Sequence, residues 1–120
     1  MVTILIDDLR SFRDGREAIV LRTGAEALAA LREFDDQHVG ELWLDHDLGG
    51  NDTIRPVVRY LEERAFNGHP LSVDRIYVHT ANAAVAQGIV KGLTRYGYPA
   101  QRVGTEALIS GPVPAEDDDR

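Results

Sequence analysis

Three short polar clusters carry the residue types that proton transfer, metal binding and phosphate recognition need: Asp7-Asp8-Leu9-Arg10, Asp45-His46-Asp47 and His79-Thr80-Ala81-Asn82. Imidazole gains and loses protons near neutral pH, so His46 and His79 are candidates for general acid and general base, in either order. Asp45 or Asp47 can orient a histidine through its second ring nitrogen. Arg10 offers a planar fork of donors that matches phosphate oxygens. The free N–H groups of a helix opening after Asn82 add the positive end of a dipole to the same task.

Electrostatics limits what such a site can be. Two carboxylates about 4 Å apart repel by roughly 4 kcal/mol at an effective dielectric of about 20. Asp7, Asp8, Asp45 and Asp47 in one crevice therefore need countercharge or proton uptake. A hard divalent ion, Mg²⁺ or Mn²⁺, held by Asp7, Asp8 and Asp45 is one source, and Arg10 with protonated His46 or His79 is another. Carboxylate-rich oxygen ligation suits those ions better than Zn²⁺.

Each cluster directly follows an apolar run. Val2-Thr3-Ile4-Leu5-Ile6 is β-branched and apolar on both faces, which predicts a central strand, and Leu42-Trp43-Leu44 and Arg75-Ile76-Tyr77-Val78 predict two more. Ala18 to Arg22 reads as a further strand, and Arg102-Val103 as a short fifth. Thr23-Gly24-Ala25-Glu26 is a capping box opening a helix to about Phe34, with Leu28 and Leu31 inward. Thr53 is the expected N-cap of the next helix, with Pro56 in its first turn, Ile54, Val57, Val58 and Leu61 inward, and Asn67-Gly68 as the stop. A third helix is expected from about Ala83 to Tyr96, where Gly88 and Gly92 weaken it but admit a close neighbour. Strands alternating with helices imply a three-layer α/β fold: a parallel sheet of about five strands with helices on both faces. Ligands of such sheets sit beyond the carboxyl ends of the strands, where all three clusters fall. Trp43 is expected in the core, against a helix.

The chain's 120 residues suit one domain. Twenty acidic and thirteen basic residues give a net charge of −7, which argues against tracking a long nucleic-acid duplex. There is no cysteine, hence no thiolate chemistry. The opening MVTILIDDLR lacks the flanks of a secretory leader, and no apolar run approaches the roughly 20 residues needed to span a bilayer, so a cytoplasmic, soluble chain is expected. Residues 1–110 form the expected domain, and 111–120, with two prolines and an acidic run, an expected disordered tail. Arg10, Arg13, Arg16, Arg22, Lys91 and Arg95 could form a basic rim for RNA, but pairing of these arginines with Asp14, Glu17 and the acidic clusters is the favoured reading. His38 and His69 are assigned no role.

An acidic pair after strand one, an aspartate after strand three and a threonine after strand four resemble the receiver (response-regulator) fold, which is flavodoxin-like. The resemblance implies Asp7 and Asp8 as metal-binding acids, Asp45 as phosphoacceptor and the Thr80 hydroxyl on the phosphoryl group. Two departures stand out: Asp8 to Glu17 is too short and too rich in Arg, Asp and Gly for the receiver's first helix, and Val103-Gly104-Thr105 stands where receivers carry a lysine. The three motifs taken together, with Leu44-Asp45-His46-Asp47-Leu48-Gly49, are more similar to a divergent branch, the cyclic-phosphate-processing receiver domains (cREC) of bacteria and phages. That resemblance implies a phosphoesterase acting on a cyclic phosphate of a nucleotide or RNA end. Arg10, Thr80 and Asn82 would lie at the phosphate, and Asp45, His46, Asp47 and His79 at the chemistry. The alternative is a non-enzymatic module in which Asp45 accepts a phosphoryl group or the pocket retains a nucleotide.

Overall fold

The structure is a computed structural model that describes residues 1–110; the expected tail, 111–120, lies outside the described residues. Five parallel strands form the main sheet: β1 (Thr3–Ile6), β3 (Ile19–Leu21), β4 (Val39–Leu44), β5 (Val73–Val78) and β6 (Ala100–Arg102). Their order is β3-β1-β4-β5-β6, a receiver-like arrangement with β4 at its centre between β1 and β5. Helices α1 (Gly24–Glu33), α2 (Arg55–Phe66) and α3 (Ala83–Arg95) connect them.

Side chains alternate across the sheet, and this alternation divides the core. Ile4, Ile6, Leu42, Leu44, Ile76 and Val78 pack with Ala27 and Leu31 of α1, Val57 and Leu61 of α2, and Ala86, Ile89 and Leu93 of α3. Leu5 and Trp43 point to the opposite face. There they meet Phe12 and Leu108, which belong to an antiparallel ribbon of β2 (Arg10–Phe12) and β7 (Leu108–Ser110). All three helices therefore lie on one face, and a two-stranded ribbon replaces the helices expected on the other. The cause is local: the chain between β1 and β3 is too short and too polar for a crossover helix. Trp43 is buried, but against Phe12 of the ribbon, ring centroids 5.1 Å apart and nearly perpendicular, rather than against a helix.

The helix signals hold with two shifts. Thr23 Oγ1 accepts from the Glu26 N–H as a capping box requires, but Glu26 Oε1 reaches back to the Arg22 N–H rather than to the cap itself. The N-cap of α2 is Ile54 with no side-chain cap, not Thr53, whose hydroxyl accepts from the Arg55 N–H at 3.3 Å. Ile54, Val57 and Leu61 are buried as expected and Val58 partly so. In α3, a Cβ on Gly92 would lie 2.7 Å from Glu62 Oε2, so Gly92 is the residue that admits α2, whereas Gly88 faces open space. The last strand of the main sheet runs Ala100–Arg102, slightly earlier than the sequence predicts. No helix among the described residues is long and apolar enough to cross a membrane.

Candidate functional site

Register explains how the three clusters meet. Leu5 pairs with Trp43, and Trp43 with Tyr77, across the three central strands. Two residues further along each strand stand Asp7, Asp45 and His79, on the same face because the strand period is two. All three are buried, with exposures of 0%, 6% and 0%. Each offers a ligand atom, and these atoms lie within 4.8 Å of one another, so this Asp-Asp-His group could hold a metal ion. The donor set, two carboxylates and an imidazole, suits a divalent ion. Asp8 is not in the group; it lies beside Gly49, whose added Cβ would stand 3.2 Å from Asp8 Oδ2.

Asp7 is the most tightly held of these groups. Its Oδ1 accepts the N–H groups of Leu9 at 2.9 Å and Arg10 at 2.8 Å, and its Oδ2 lies 3.0 Å from His79 Nε2. Burial by itself pushes this carboxyl up, but the His79 hydrogen bond and the two backbone N–H groups together hold it below the usual carboxylate range. Being ionised, Asp7 can only accept, so His79 Nε2 carries the proton that bridges them. His79 Nδ1, also buried, has no protein hydrogen-bond partner.

Asp45 is in the opposite condition. Burial, then the charge of Asp7, pushes its carboxyl up to about 7; Arg10 opposes the rise and Asp8 and Asp47 add to it. Burial and neighbouring negative charge both oppose ionisation, so Asp45 is the carboxyl here that carries a proton for part of the time near neutral pH.

Above this buried floor opens a cleft of about 410 Å³. Asp8, Arg10, Asp45, His46, Asp47, Thr80 and Asn82 line it, together with Leu9, Ala81 and Ser110. Every sequence-predicted site residue except Asp7 and His79 thus faces one cleft, and those two lie beneath it. Arg10 keeps most of its fork free, since its nearest carboxylate contact, Nη1 to Asp7 Oδ2, is 3.8 Å. His46 is half-buried, and its Nδ1 has no protein partner. Asp47 Oδ1 accepts the Gly49 N–H at 3.0 Å in a local turn. Asn82 caps α3, its Oδ1 accepting from the Val85 N–H at 3.1 Å, and the Thr80 hydroxyl accepts weakly from the Asn82 N–H at 3.5 Å. Asn82, the N-cap of α3, thereby stands on the same cleft as Arg10.

Arg13, Arg16 and Arg22 are not free to form a basic rim. Arg16 binds Asp14 and lies near Glu41, and Arg13 donates to the backbone carbonyls of Glu106 and Leu108. Arg22 donates to the carbonyl oxygens of Asp7 and Arg10 and to Ser11 Oγ. That contact with the site's first loop gives Arg22 a place the sequence did not reveal, because nothing local distinguishes it from a surface cation.

A family model described as Cyclic-phosphate processing Receiver domain matches residues 2–95. No curated protein and no solved structure matches the chain.

Proposed function

The chain belongs to the cyclic-phosphate processing receiver domain family, and from that premise we propose that it hydrolyses a cyclic phosphate on a nucleotide or an RNA terminus. One observation carries the reading: an arginine fork, a carboxyl titrating near neutrality and a histidine line a single cleft at the carboxyl ends of the central strands. Arg10 and the N-terminus of α3 hold the non-bridging oxygens, with the Thr80 hydroxyl beside them. The oxygen of an attacking water bonds to phosphorus as the bond from phosphorus to one ribose oxygen breaks. His46 takes the water proton as base, and Asp45, carrying a proton for part of the time near pH 7, gives one to the departing ribose oxygen. The product is a phosphate monoester.

His79 is a positioning residue in this scheme: it holds Asp7, and Asp7 fixes the backbone of Leu9 and Arg10. Asp47 sets the turn beside His46. Asp7, Asp45 and His79 could instead hold Mg²⁺ or Mn²⁺; Asp45 would then be ionised, and the ion's positive charge would stand in for the proton that Asp45 otherwise gives to the departing oxygen. Incubating the protein with a nucleoside 2′,3′-cyclic phosphate, with and without each ion, tests the reading by mass spectrometry. A monoester product supports it, and an unchanged nucleotide in every arm with folded protein refutes it. An aspartyl adduct on Asp45 after acetyl phosphate treatment would favour the signalling alternative.

A further inference from the structure

The two loops that build the cleft come from different strands, and neither bonds to the other through its cleft-facing side chains. Both are fastened to one short turn at the start of α1. The Arg22 guanidinium donates to Asp7 O at 3.1 Å, to Arg10 O, and to Ser11 Oγ at 3.2 Å, spanning the loop that carries Asp7 to Arg10. Arg22 is itself held at its backbone, its N–H donating to Glu26 Oε1 at 2.9 Å. Two residues on, the Gly24 N–H donates to Asp52 Oδ2 at 2.9 Å. Asp52 closes the loop that carries Asp45 to Asp47: its carbonyl accepts the Leu48 N–H, and its N–H donates to Gly49 O. The approach is close, since a Cβ on Gly24 would meet Asp52 Oδ1 at 2.8 Å.

From this geometry we propose that the Arg22–Gly24 turn is a positioning element that sets the spacing of the Asp7–Arg10 loop against the Asp45–Asp47 loop, and through it the affinity of the cleft for phosphate and divalent metal. The inference rests on the proposed function for its ligand class but not for its geometry. A guanidinium with three acceptors on one loop removes most of that loop's freedom, and Arg10 can meet an anion without further ordering cost only while the loop is so held. Glutamine cannot reach across three acceptors, and lysine replaces the planar fork with a point charge.

The test compares Arg22→Gln, Arg22→Lys and Asp52→Ala with Arg64→Gln. Arg64 serves as the control because it too donates to backbone carbonyls, His69 O at 2.8 Å and Asp35 O at 3.0 Å, but away from the cleft. Two readouts are taken well below each variant's melting temperature: amide hydrogen exchange of Leu9 and Arg10, and the Kd for Mn²⁺ followed by titration with inorganic phosphate. Arg22→Gln is expected to speed exchange of the Leu9 and Arg10 amides at least tenfold and to weaken both ligands at least tenfold. Arg22→Lys should fall between, and Asp52→Ala should weaken the ligands, while Arg64→Gln lowers stability and leaves both readouts in place. If exchange at Leu9 and Arg10 is the same in Arg22→Gln as in Arg64→Gln, the positioning role is wrong, whatever the ligands do. If exchange responds as expected but the wild-type chain binds neither Mn²⁺ nor phosphate, the tie between turn and loop stands and the effect on affinity, with the ligand class it rests on, is wrong. Should Arg22→Gln fail to fold, Arg22→Lys decides by the same exchange criterion.

Discussion

His79 Nε2 stands 3.0 Å from Asp7 Oδ2, and neither side chain has any exposed surface. The pair is the floor on which the cleft is built. Removing the imidazole leaves a buried carboxylate with only its backbone donors, a loss that typically costs about 3 kcal/mol or more. His79→Ala is therefore expected to be destabilised by at least that amount in urea unfolding at neutral pH. Asp7's depressed carboxyl contributes stability that is present above its unfolded value of 3.8 and is lost as pH falls through the folded one. Without His79 the folded value rises, so acid unfolding should begin at higher pH in the variant. An unchanged acid transition would show that the pair contributes nothing to the stability.

Asp45 gives the opposite sign. Its folded carboxyl titrates at about 7, above the ordinary 3.8, so its ionised form opposes folding. That penalty is full above about pH 7 and disappears as pH falls toward about 4. Asp45→Asn removes the charge and should raise stability by about 2 to 4 kcal/mol at alkaline pH, with the gain shrinking to near zero in acid. Equal gains at both ends of the pH range would mean that burial and the neighbouring carboxylates do not raise the Asp45 carboxyl.

The Arg10 fork should be needed as a fork. Arg10→Lys keeps the charge and loses the paired donors, so its affinity for inorganic phosphate should fall about tenfold, and Arg10→Ala should fall further. Isothermal titration measures both; a lysine variant equal to wild type would place the phosphate elsewhere.

The ribbon depends on Phe12, which is buried to 2% exposure between Trp43 and the Arg16 guanidinium. Phe12→Ala should cost about 3 to 4 kcal/mol. Because the chain has one tryptophan, the release is visible directly: Trp43 emission should shift to the red in the still-folded variant.

Much of the site was legible before the fold. Apolar runs ending in Asp7, Asp45 and His79 locate strand ends, and parallel pairing of those runs is enough to bring the residues to one rim. What the sequence could not convey depends on contacts distant in the chain. The β2–β7 ribbon joins Arg10 to Ser110, and three-residue strands with no turn between them leave no pattern to read. His79 is buried because strand register sets it beside Asp7 and Trp43, residues distant in sequence, so in sequence it looks like an exposed strand-end residue. Asp52 and Arg22 resemble ordinary loop polars until Gly24 and the Asp7 carbonyl stand beside them.

The central claim, that His46 and Asp45 act on a phosphate held by Arg10, is tested most directly by ³¹P NMR of a nucleoside 2′,3′-cyclic phosphate incubated with wild type, His46→Gln and Asp45→Asn. Wild type is expected to convert the cyclic resonance to a monoester. His46→Gln and Asp45→Asn should each slow that conversion by about a hundredfold or more while still binding inorganic phosphate. Conversion by either variant at the wild-type rate would contradict the account.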